Sequence, residues 1–343
     1  MAEFKTIAIV ILNWNGTRLF DRFLPSVIKY SDHPALRIII ADNGSSDGSV
    51  EYLKTNYPGI EILDLGINHG FAKGYNLALR EIKADYFILL NSDIEVTPGW
   101  IEPCIARLES DPRIAALQPK IRSYNQKNQF EYAGAAGGFI DRFGYPFCRG
   151  RILNINESDS GQYNSPTPVF WATGACLFIK SSCFCEAGGF DDDFWAHMEE
   201  IDLCWRLKNR GFSIWYEPES VVYHLGGGTL PYDNPQKLFL NFRNNLWILM
   251  KNLPQGKLIR ILIFRMILDG VAALKLLSEL NVTAFFSVFR AHFSFYKNFG
   301  KLRGKRIFLR QAAVETNHQE IYKGSILWDF YARNRNHFSE LNF

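Results

Sequence analysis

The chain has 343 residues, of which 47% are apolar and 21% charged, so a largely disordered protein is excluded. The net charge is only +3, but residues 251–310 hold twelve Lys and Arg against two Asp and Glu, whereas the remainder holds 26 against 33. The first residues do not have the pattern of a secretory signal peptide, and no stretch has the roughly 18–20 uncharged apolar residues of a membrane-spanning helix. Six scattered cysteines do not make a disulfide framework, which favours a reduced, cytoplasmic protein.

Apolar runs and helical patterns alternate along the first 120 residues. The predicted strands are residues 7–12, 37–41, 60–65, 86–90 and 114–117, and the predicted helices are residues 19–30, 50–57, 71–82 and 100–108. The run at 7–12 is continuously apolar, which is typical of a strand covered on both faces. This βαβα order predicts an α/β fold with a doubly wound, mostly parallel sheet.

The rhythm changes further along the chain. Residues 120–170 are rich in Gly, Asn, Tyr and Ser and predict loops and irregular strands. A strand at 176–180, a helix at 199–209 and strands at 213–216 and 221–224 follow, and helical patterns dominate from the glycines at 226–228 to residue 310. We therefore predict an α/β domain over residues 1–250 and an amphipathic, basic helical extension over residues 251–343.

Polar turns follow the first four predicted strands, at residues 13–16, 42–48, 68–70 and 91–93. In open α/β sheets the ligand binds beyond the carboxyl ends of the strands, so these turns are expected to converge on one site. A carboxylate at a strand end, such as Asp42, can accept a hydrogen bond from a base or ribose. Asp42 and Asp47 fit an ordinary Asx turn and helix N-cap equally well.

The third and fourth turns contain residues suited to phosphate and metal. Gly70 and Gly74 flank the start of a helix, where glycine allows close approach and the helix N-terminus favours phosphate. The segment is neither a Walker A loop nor a GxGxxG fingerprint. Asp93 is either a turn residue or a ligand of a divalent cation beside phosphates. His224 ends a strand and is either a structural residue or a second metal ligand.

An acidic group opens the predicted helix at 199–209. The helix dipole and an i,i+4 pair with Arg206 account for Asp202. They account less well for the adjacent Glu199 and Glu200, which point about 100° apart on a helix. One glutamate can therefore face a cleft while the other supports it.

Seven segments resemble, in order along residues 5–230, the family 2 glycosyltransferases of the GT-A fold, in their rhamnosyltransferase-like branch. They are IVILNWNG, ADNGSSDGS, NHGFAKGYN, LLNSDIEV, TGACLFIK, GGFDDDFWAHMEEIDLCWR and VVYHLGGGT. The resemblance implies that residues 1–250 form a catalytic domain. It also implies an inverting enzyme that moves a hexosyl or deoxyhexosyl group from a nucleoside-diphosphate sugar to a hydroxyl of a glycan or lipid-linked acceptor, in the synthesis of a bacterial surface polysaccharide.

The resemblance also implies roles for individual residues. Asp42 matches an acid that contacts the nucleotide base, and Asp93 and His224 match ligands of the divalent metal, Mg²⁺ or Mn²⁺. Glu200 matches the catalytic base, although the usual Glu-Asp pair is Glu-Glu here, so Glu199 is the alternative. The predicted donor-binding residues are Asn13, Asp42, Asp47, Asn68, Gly70, Lys73, Asn76 and Ser92, and those on the acceptor side are Trp171 and Trp195, for which a place in the aromatic core is the alternative.

The basic segment has apolar runs that Lys and Arg interrupt, a pattern that suits helices lying in a membrane interface. The cluster at residues 301–306 adds attraction to anionic lipids, about 1 kcal/mol per charge. A helical dimerisation or core-capping unit is the alternative, and no nucleic-acid reader motif accompanies the charge. We expect a peripheral enzyme on the inner face of the plasma membrane.

Two other functions are weighed against this one. A catalytically silent homologue would act as a binding or scaffold subunit, and the set of acids and His224 argues against it. A sugar nucleotidyltransferase would carry a glycine-rich, basic phosphate loop near its N-terminus, which NWNGTRLF is not.

Overall fold

A computed structural model describes residues 5–226 and 234–343 of the chain. Its strands are β1 (Ile7–Asn13), β2 (Leu36–Asp42), β3 (Glu61–Asp64), β4 (Tyr86–Leu90), β5 (Ile94–Val96), β6 (Ile114–Ser123), β7 (Gly138–Asp141), β8 (Pro146–Cys148), β9 (Arg151–Ile152), β10 (Ile155–Asn156), β11 (Thr167–Val169), β12 (Cys176–Lys180), β13 (Ser213–His224) and β14 (Ile321–Tyr322). Its α-helices are α1 (Thr17–Tyr30), α2 (Ser49–Asn56), α3 (Phe71–Glu81), α4 (Glu102–Ser110), α5 (Ser181–Glu186), α6 (Glu199–Asn209), α7 (Pro235–Asn252), α8 (Gln255–Ser278), α9 (Val282–Lys297), α10 (Phe299–Gln311) and α11 (Ile326–Arg333).

The predicted α/β architecture is confirmed. Each element predicted up to residue 117 is present within two residues of its predicted start, and β4, β12 and α6 have the predicted bounds. Two strand predictions were wrong in extent. Strand β6 continues to Ser123, and the two strands predicted between 213 and 224 are one strand, β13, with a register shift between Glu217 and Val221.

The central sheet has the order β11-β13-β6-β12-β4-β1-β2-β3, with β5 paired to β13. Strands β4, β1, β2 and β3 are parallel neighbours, and β12 lies antiparallel between β4 and β6. The chain order reverses at β1, which pairs with β2 on one side and β4 on the other. The switch point between the carboxyl ends of β1 and β4 is where ligands bind in such sheets.

Strand β1 explains why the sheet is covered on both faces. Ile9 and Ile11 belong to one buried cluster, which includes Phe20 of α1, whereas Ala8 and Val10 belong to a second cluster on the opposite face. Side chains alternate across a strand, so a continuously apolar strand buries both faces at once.

The C-terminal helices pack onto this body. Helix α7 runs across the predicted boundary at residue 250 and contacts α6, α8, α9 and α10. Beyond α10 the chain returns to a second sheet, where β14 pairs with β7 and the rings of Phe338 and Phe343 lie against Phe139 and Phe147. The division at residue 250 stays a prediction, and residues 227–229 of the VVYHLGGGT segment lie outside the described residues. No helix within residues 5–226 and 234–343 is long and apolar enough to cross a membrane.

Candidate active site

A network of short polar side chains fixes the first two turns. Asn13 ends β1 and its amide donates to Oδ1 of Asp42 (2.8 Å), to Ser45 Oγ (3.0 Å) and to Ser49 Oγ (2.9 Å). The second oxygen of Asp42 accepts from the Ser45 backbone N–H (3.0 Å). Both side chains are buried, and within residues 5–226 and 234–343 Oδ1 of Asn13 has no hydrogen-bond partner. Together they shape the turn at the end of β2.

Asn43 joins the second turn to the third, a role that its position in the sequence did not reveal. Its amide group donates to Asn68 Oδ1 (3.2 Å) and to the Gly70 carbonyl (3.1 Å), and its Oδ1 accepts from the His69 N–H (3.0 Å). Asn68 in turn accepts from the Gly70 N–H (2.8 Å). Hydrogen bonds therefore bring together, at one edge of the sheet, four of the residues predicted to bind the nucleotide-sugar donor: Asn13, Asp42, Asn68 and Gly70.

The other residues that were predicted to bind the nucleotide-sugar donor have different surroundings. Asp47 caps two helices, because it accepts from Thr17 N (3.0 Å) at α1 and from Ser49 N (3.0 Å) at α2. The buried amide of Asn76 is used within the protein by the backbone of Phe190 and by Asp192. Lys73 is exposed on α3, and Ser92 is half-buried beside Asp93. For Asp47 and Asn76 the contacts favour a structural role over donor binding.

Asp93 and His224 meet at the end of the sheet. Antiparallel pairing of β5 with β13 sets His224 opposite Ile94, and Nε2 of His224 lies 3.1 Å from Oδ1 of Asp93. The other ring nitrogen, Nδ1, lies 3.2 Å from Oε2 of Glu131. Burial lowers the pKa of His224, but the two carboxylates outweigh it and raise the pKa well above 6.5. The histidine thus sits between two buried acids.

The 3.1 Å contact between Nε2 of His224 and Oδ1 of Asp93 is a hydrogen bond, and the same spacing would let the two atoms be neighbouring ligands of a divalent cation once the ring has lost its proton. Mg²⁺ takes ligands at about 2.0–2.1 Å near right angles, which places neighbouring ligand atoms about 3 Å apart. Asp93 and His224 have that spacing. Metal-binding histidines commonly donate their other nitrogen to a carboxylate, and Oε2 of Glu131 lies at ion-pair distance from Nδ1 (3.2 Å), although the two atoms are not aligned as a hydrogen bond. Within residues 5–226 and 234–343 no three His, Cys, Asp or Glu side chains converge on one point. The remaining ligands would come from donor phosphates and water.

The two glutamates at the start of α6 differ in exposure. Glu199 is buried, whereas Glu200 keeps part of its surface exposed beside Gly174. Each has one carboxylate oxygen without a hydrogen-bond partner among the residues that the structure describes. Burial, with a contribution from Glu200, raises the pKa of Glu199 well above 4.5. Burial also raises the pKa of Glu200 to about 7, against backbone N–H groups that lower it.

An unusual turn delivers these glutamates. His197 and Met198 both have left-handed backbone conformations, with φ of 68° and 69°, which costs energy for residues other than glycine. Asn244 of α7 holds the turn, since its buried amide donates to the carbonyls of Ala196 (2.9 Å) and His197 (2.6 Å). Sequence reasoning missed Asn244, because it lies outside the recognised motifs.

The two predicted acceptor-side tryptophans lie in different places. Trp195 is 48% exposed and covers the third turn: its carbonyl accepts from Phe71 N (2.8 Å), and a Cβ atom at Gly70 would come within 2.8 Å of its ring. Trp171 is 4% exposed, packs on Gly138 and donates to the Phe139 carbonyl (2.9 Å). The structure brings Trp195 to the site, whereas the packing of Trp171 is that of a core residue and does not support an acceptor role.

Lysines of the C-terminal helices hold the residues just before Trp195. Lys251 contacts Asp191 (2.6 Å) and Asp202 (2.7 Å), and Lys305 contacts Asp193 (2.6 Å) and also Asp191. Lys301 adds a contact to Asp193 (2.6 Å). Despite burial, the lysines hold the pKa of Asp191 well below its ordinary value. We call this set the lysine clasp. Part of the basic cluster at 301–306 is thus directed into the protein.

Comparison with known proteins agrees with this arrangement. Residues 8–171 match the family model described as Glycosyl transferase family 2. The N-acetylglucosaminyl-diphospho-decaprenol L-rhamnosyltransferase of Mycobacterium tuberculosis (strain ATCC 25618 / H37Rv) is 28% identical over 64% of this chain and 75% of its own length. The rhamnosyltransferase WbbL of Escherichia coli (strain K12) is 26% identical over 64% of this chain and 83% of its own length.

Solved structures show the same fold. GalNAc-T7, crystallised with UDP, GalNAc and Mn²⁺, matches 73% of this chain and 48% of its own with a TM-score of 0.56 and 19% identity. The mannosyltransferase PcManGT from Pyrobaculum calidifontis, in complex with GDP-Man and Mn²⁺, matches 92% of this chain and 88% of its own with a TM-score of 0.54 and 13% identity. The match confirms the family resemblance drawn from the motifs over residues 8–171, which carry a domain of the family 2 glycosyltransferases.

Proposed function

We propose that the protein is an inverting, metal-dependent glycosyltransferase that moves a sugar from a nucleoside-diphosphate sugar to a hydroxyl of a glycan or lipid-linked acceptor in bacterial surface polysaccharide synthesis. The observation that carries the proposal is Glu200, a half-buried residue whose carboxyl group has a raised pKa and, among the described residues, one buried oxygen without a hydrogen-bond partner. It opens a helix next to Gly174, and Ala175 in turn accepts from the Asn91 N–H (2.9 Å), two residues before Asp93.

The strand-end turns would bind the donor. Asn13, Asp42 and the turn of Asn68 and Gly70 are held by one another and by Asn43, so the edge is rigid before a nucleotide arrives. A preorganised edge costs less ordering on binding.

Asp93 and His224 would hold the cation, and Glu131 would fix the histidine ring. A bound divalent cation supplies neutralisation of the charge that develops on the diphosphate leaving group. The chain's own contribution is to set two ligands 3.1 Å apart, just before the start of β5 and at the end of β13, and to leave the remaining positions to phosphate oxygens.

Glu200 would remove the acceptor proton. As the acceptor oxygen bonds to the anomeric carbon, the bond from that carbon to the diphosphate oxygen breaks and the hydroxyl proton passes to Glu200. A single displacement of this kind inverts the anomeric configuration. A base with a pKa near 7 suits the task, because about half of it is ionised at neutral pH and it is still basic enough to accept the proton.

Several relatives point to the first donor to test. Two of them are named as rhamnosyltransferases, and one name includes an N-acetylglucosaminyl-diphospho lipid. We therefore propose nucleoside-diphosphate L-rhamnose as donor and a lipid-diphosphate glycan as acceptor. Incubation with a panel of nucleotide sugars, with and without Mn²⁺, should release nucleoside diphosphate and give a product of inverted configuration by NMR.

Other outcomes of the same assay identify the alternatives. A retained configuration would overturn the single displacement, and full activity in a chelator would overturn the metal requirement. Release of pyrophosphate from a nucleoside triphosphate and a sugar phosphate would identify a nucleotidyltransferase. Binding of donors without transfer to any acceptor would favour a catalytically silent scaffold subunit.

We also propose that α8 and α9 lie on an anionic membrane surface at the inner face of the plasma membrane. Large apolar side chains on these helices are more than half exposed, namely Ile259, Ile263, Ile267, Val271, Leu274, Phe286, Phe289 and Phe293. A surface with this many exposed large apolar side chains marks an interaction site. The Phe289→Ser/Phe293→Ser variant should lose flotation with liposomes while it stays folded. Concentration-dependent dimers that the variant abolishes, without any liposome binding, would instead show a homodimer face.

A further inference from the structure

A groove that takes no part in the proposed chemistry lies between α8 and α10, at the C-terminal end of α7. Its volume is about 450 Å³, within the size range of small-molecule sites. Leu258, Ile259, Phe299 and Ile307 give it an apolar lining. Three guanidinium groups of α10 complete it: Arg303, Arg306 and Arg310.

The hydrogen bonds of Arg306 and Arg310 go to neutral groups. Arg306 is only 4% exposed, yet it donates to neutral groups, the Met250 carbonyl (2.9 Å) and Gln255 Oε1 (3.2 Å). Arg310 donates to the same Gln255 oxygen (2.8 Å). Among the residues that the structure describes, none of the three guanidinium groups takes part in an ion pair with a carboxylate. Burying a cation without a counter-charge is unfavourable.

The same helix shows the contrast. Lys301 and Lys305 of α10 are bound by Asp193 and Asp191 in the lysine clasp. The arginines recur at a spacing of three and four residues, which places them together on one helix face. Helix α10 therefore carries two lysines that are paired with carboxylates and three arginines that line an apolar groove. A phosphate group matches the three arginines, since guanidinium groups bind phosphate through paired hydrogen bonds.

We propose that the groove binds the phosphate head group of an anionic membrane lipid, with Arg303 and Arg310 on the phosphate and the lipid chains along Ile259 and Ile307. This site rests on the proposed membrane association and gives it a defined contact. Ile259 and Ile307 are 66% and 56% exposed, so the groove opens onto the apolar face of α8. A lipid uses both the cations and that face. A second copy of the chain docked by two-fold symmetry would set like charges against each other.

Vesicle sedimentation of the full chain tests the proposal. The Arg303→Gln/Arg310→Gln variant keeps the buried Arg306, and the Lys54→Gln/Lys83→Gln variant removes the same charge from exposed positions outside the C-terminal helices. On vesicles of phosphatidylcholine with phosphatidylglycerol, the arginine variant should partition roughly 30-fold more weakly, about fivefold for each lost charge at the surface. The lysine control should change by less than about twofold, because distant charges are screened.

Each vesicle experiment has an outcome that would contradict the proposed lipid site. Equal losses in both variants would show attraction by net charge alone, and no loss in the arginine variant would show that the groove is not used. On vesicles of phosphatidylcholine alone the two variants should bind alike. If inorganic phosphate raises the Tm of the wild type but not of the arginine variant, and vesicle binding is unaffected, the groove is a free-phosphate site and the lipid proposal is wrong.

A parallel assay separates this proposal from the proposed function. Glycosyl transfer to a detergent-dissolved acceptor depends on the active site and should be equal in both variants. If the wild type transfers sugar but the arginine variant binds vesicles as the wild type does, only the proposed lipid groove is wrong. Arginine-dependent vesicle binding without transfer by the wild type defeats the proposed function alone.

Discussion

Two groups of carboxylates lie on either side of Trp195 in the chain, and they are treated in opposite ways. Before it, Asp191 and Asp193 are bound by lysines from the C-terminal helices. After it, Glu199 and Glu200 each keep an oxygen that has no hydrogen-bond partner in the described part of the chain, and their pKa values are raised. The first group positions the segment, whereas in the second the half-buried Glu200 is left available for chemistry. Within one motif, the presence or absence of lysine partners from the rest of the chain thus distinguishes structural acids from a candidate catalytic acid.

The largest effect should come from removing the available carboxylate. Glu200→Gln should lower kcat by roughly 10²–10⁴-fold, the usual contribution of a general base, while donor binding measured by calorimetry stays unchanged. Glu199→Gln is the matched control and should retain most of the activity, because its side chain is buried. The reverse order of the two variants would transfer the base assignment to Glu199.

Next in size is the loss of a clasp lysine. Lys251 is almost completely buried between Asp191 and Asp202, and Lys251→Met should destabilise the protein by about 3–5 kcal/mol, because buried carboxylates lose their partner. Lys275 forms an exposed pair with Glu279, so Lys275→Met should cost about 0–1 kcal/mol. Urea denaturation of both variants measures the difference, and similar losses would contradict the structural role of the clasp.

A smaller effect is expected at the metal pair. Glu131→Gln should weaken Mn²⁺ binding by roughly 10–100-fold, the usual effect of removing the group that orients a histidine ligand. Glu157→Gln provides a buried control, since Glu157 accepts from Tyr163 Oη (2.9 Å) and lies outside the metal pair. Calorimetry with Mn²⁺ alone gives the affinities, and equal values for wild type and Glu131→Gln would remove Glu131 from the site.

The smallest effect concerns pH. Glu200 acts as a base only when ionised, so kcat/KM should fall as the pH falls through about 7. For stability the sign is opposite: the native pKa lies above the ordinary 4.5, so the contribution is complete below that value and is lost as the pH rises through about 7. Glu200→Gln stays neutral and should exceed the wild-type Tm at pH 8 by on the order of 2–4 °C. A variant less stable than wild type at pH 8 would contradict the raised pKa.

Local patterns predicted the elements and the polar edge well. Strand β1 and helix α6 could be predicted because the pattern of apolar residues within each segment, continuous in the strand and helically spaced in the helix, determines which residues are buried. Asn43, Glu131 and Asn244 were not readable, because each acts through a partner distant in sequence. Trp171 and Trp195 look alike in sequence, and only packing separates a core ring from one that covers Gly70.

The pairing of β7 with β14 has a consequence for how the protein is made. Ile140 faces Ile321 in this pair, so one partner leaves the ribosome long before the other is synthesised. At roughly 5–20 residues per second the interval is about 10–35 s, and throughout it the edge of β7 that later takes β14 has no strand beside it. An open strand edge invites pairing with other chains. The yield of active enzyme should therefore depend on translation speed and on chaperones that shield this edge.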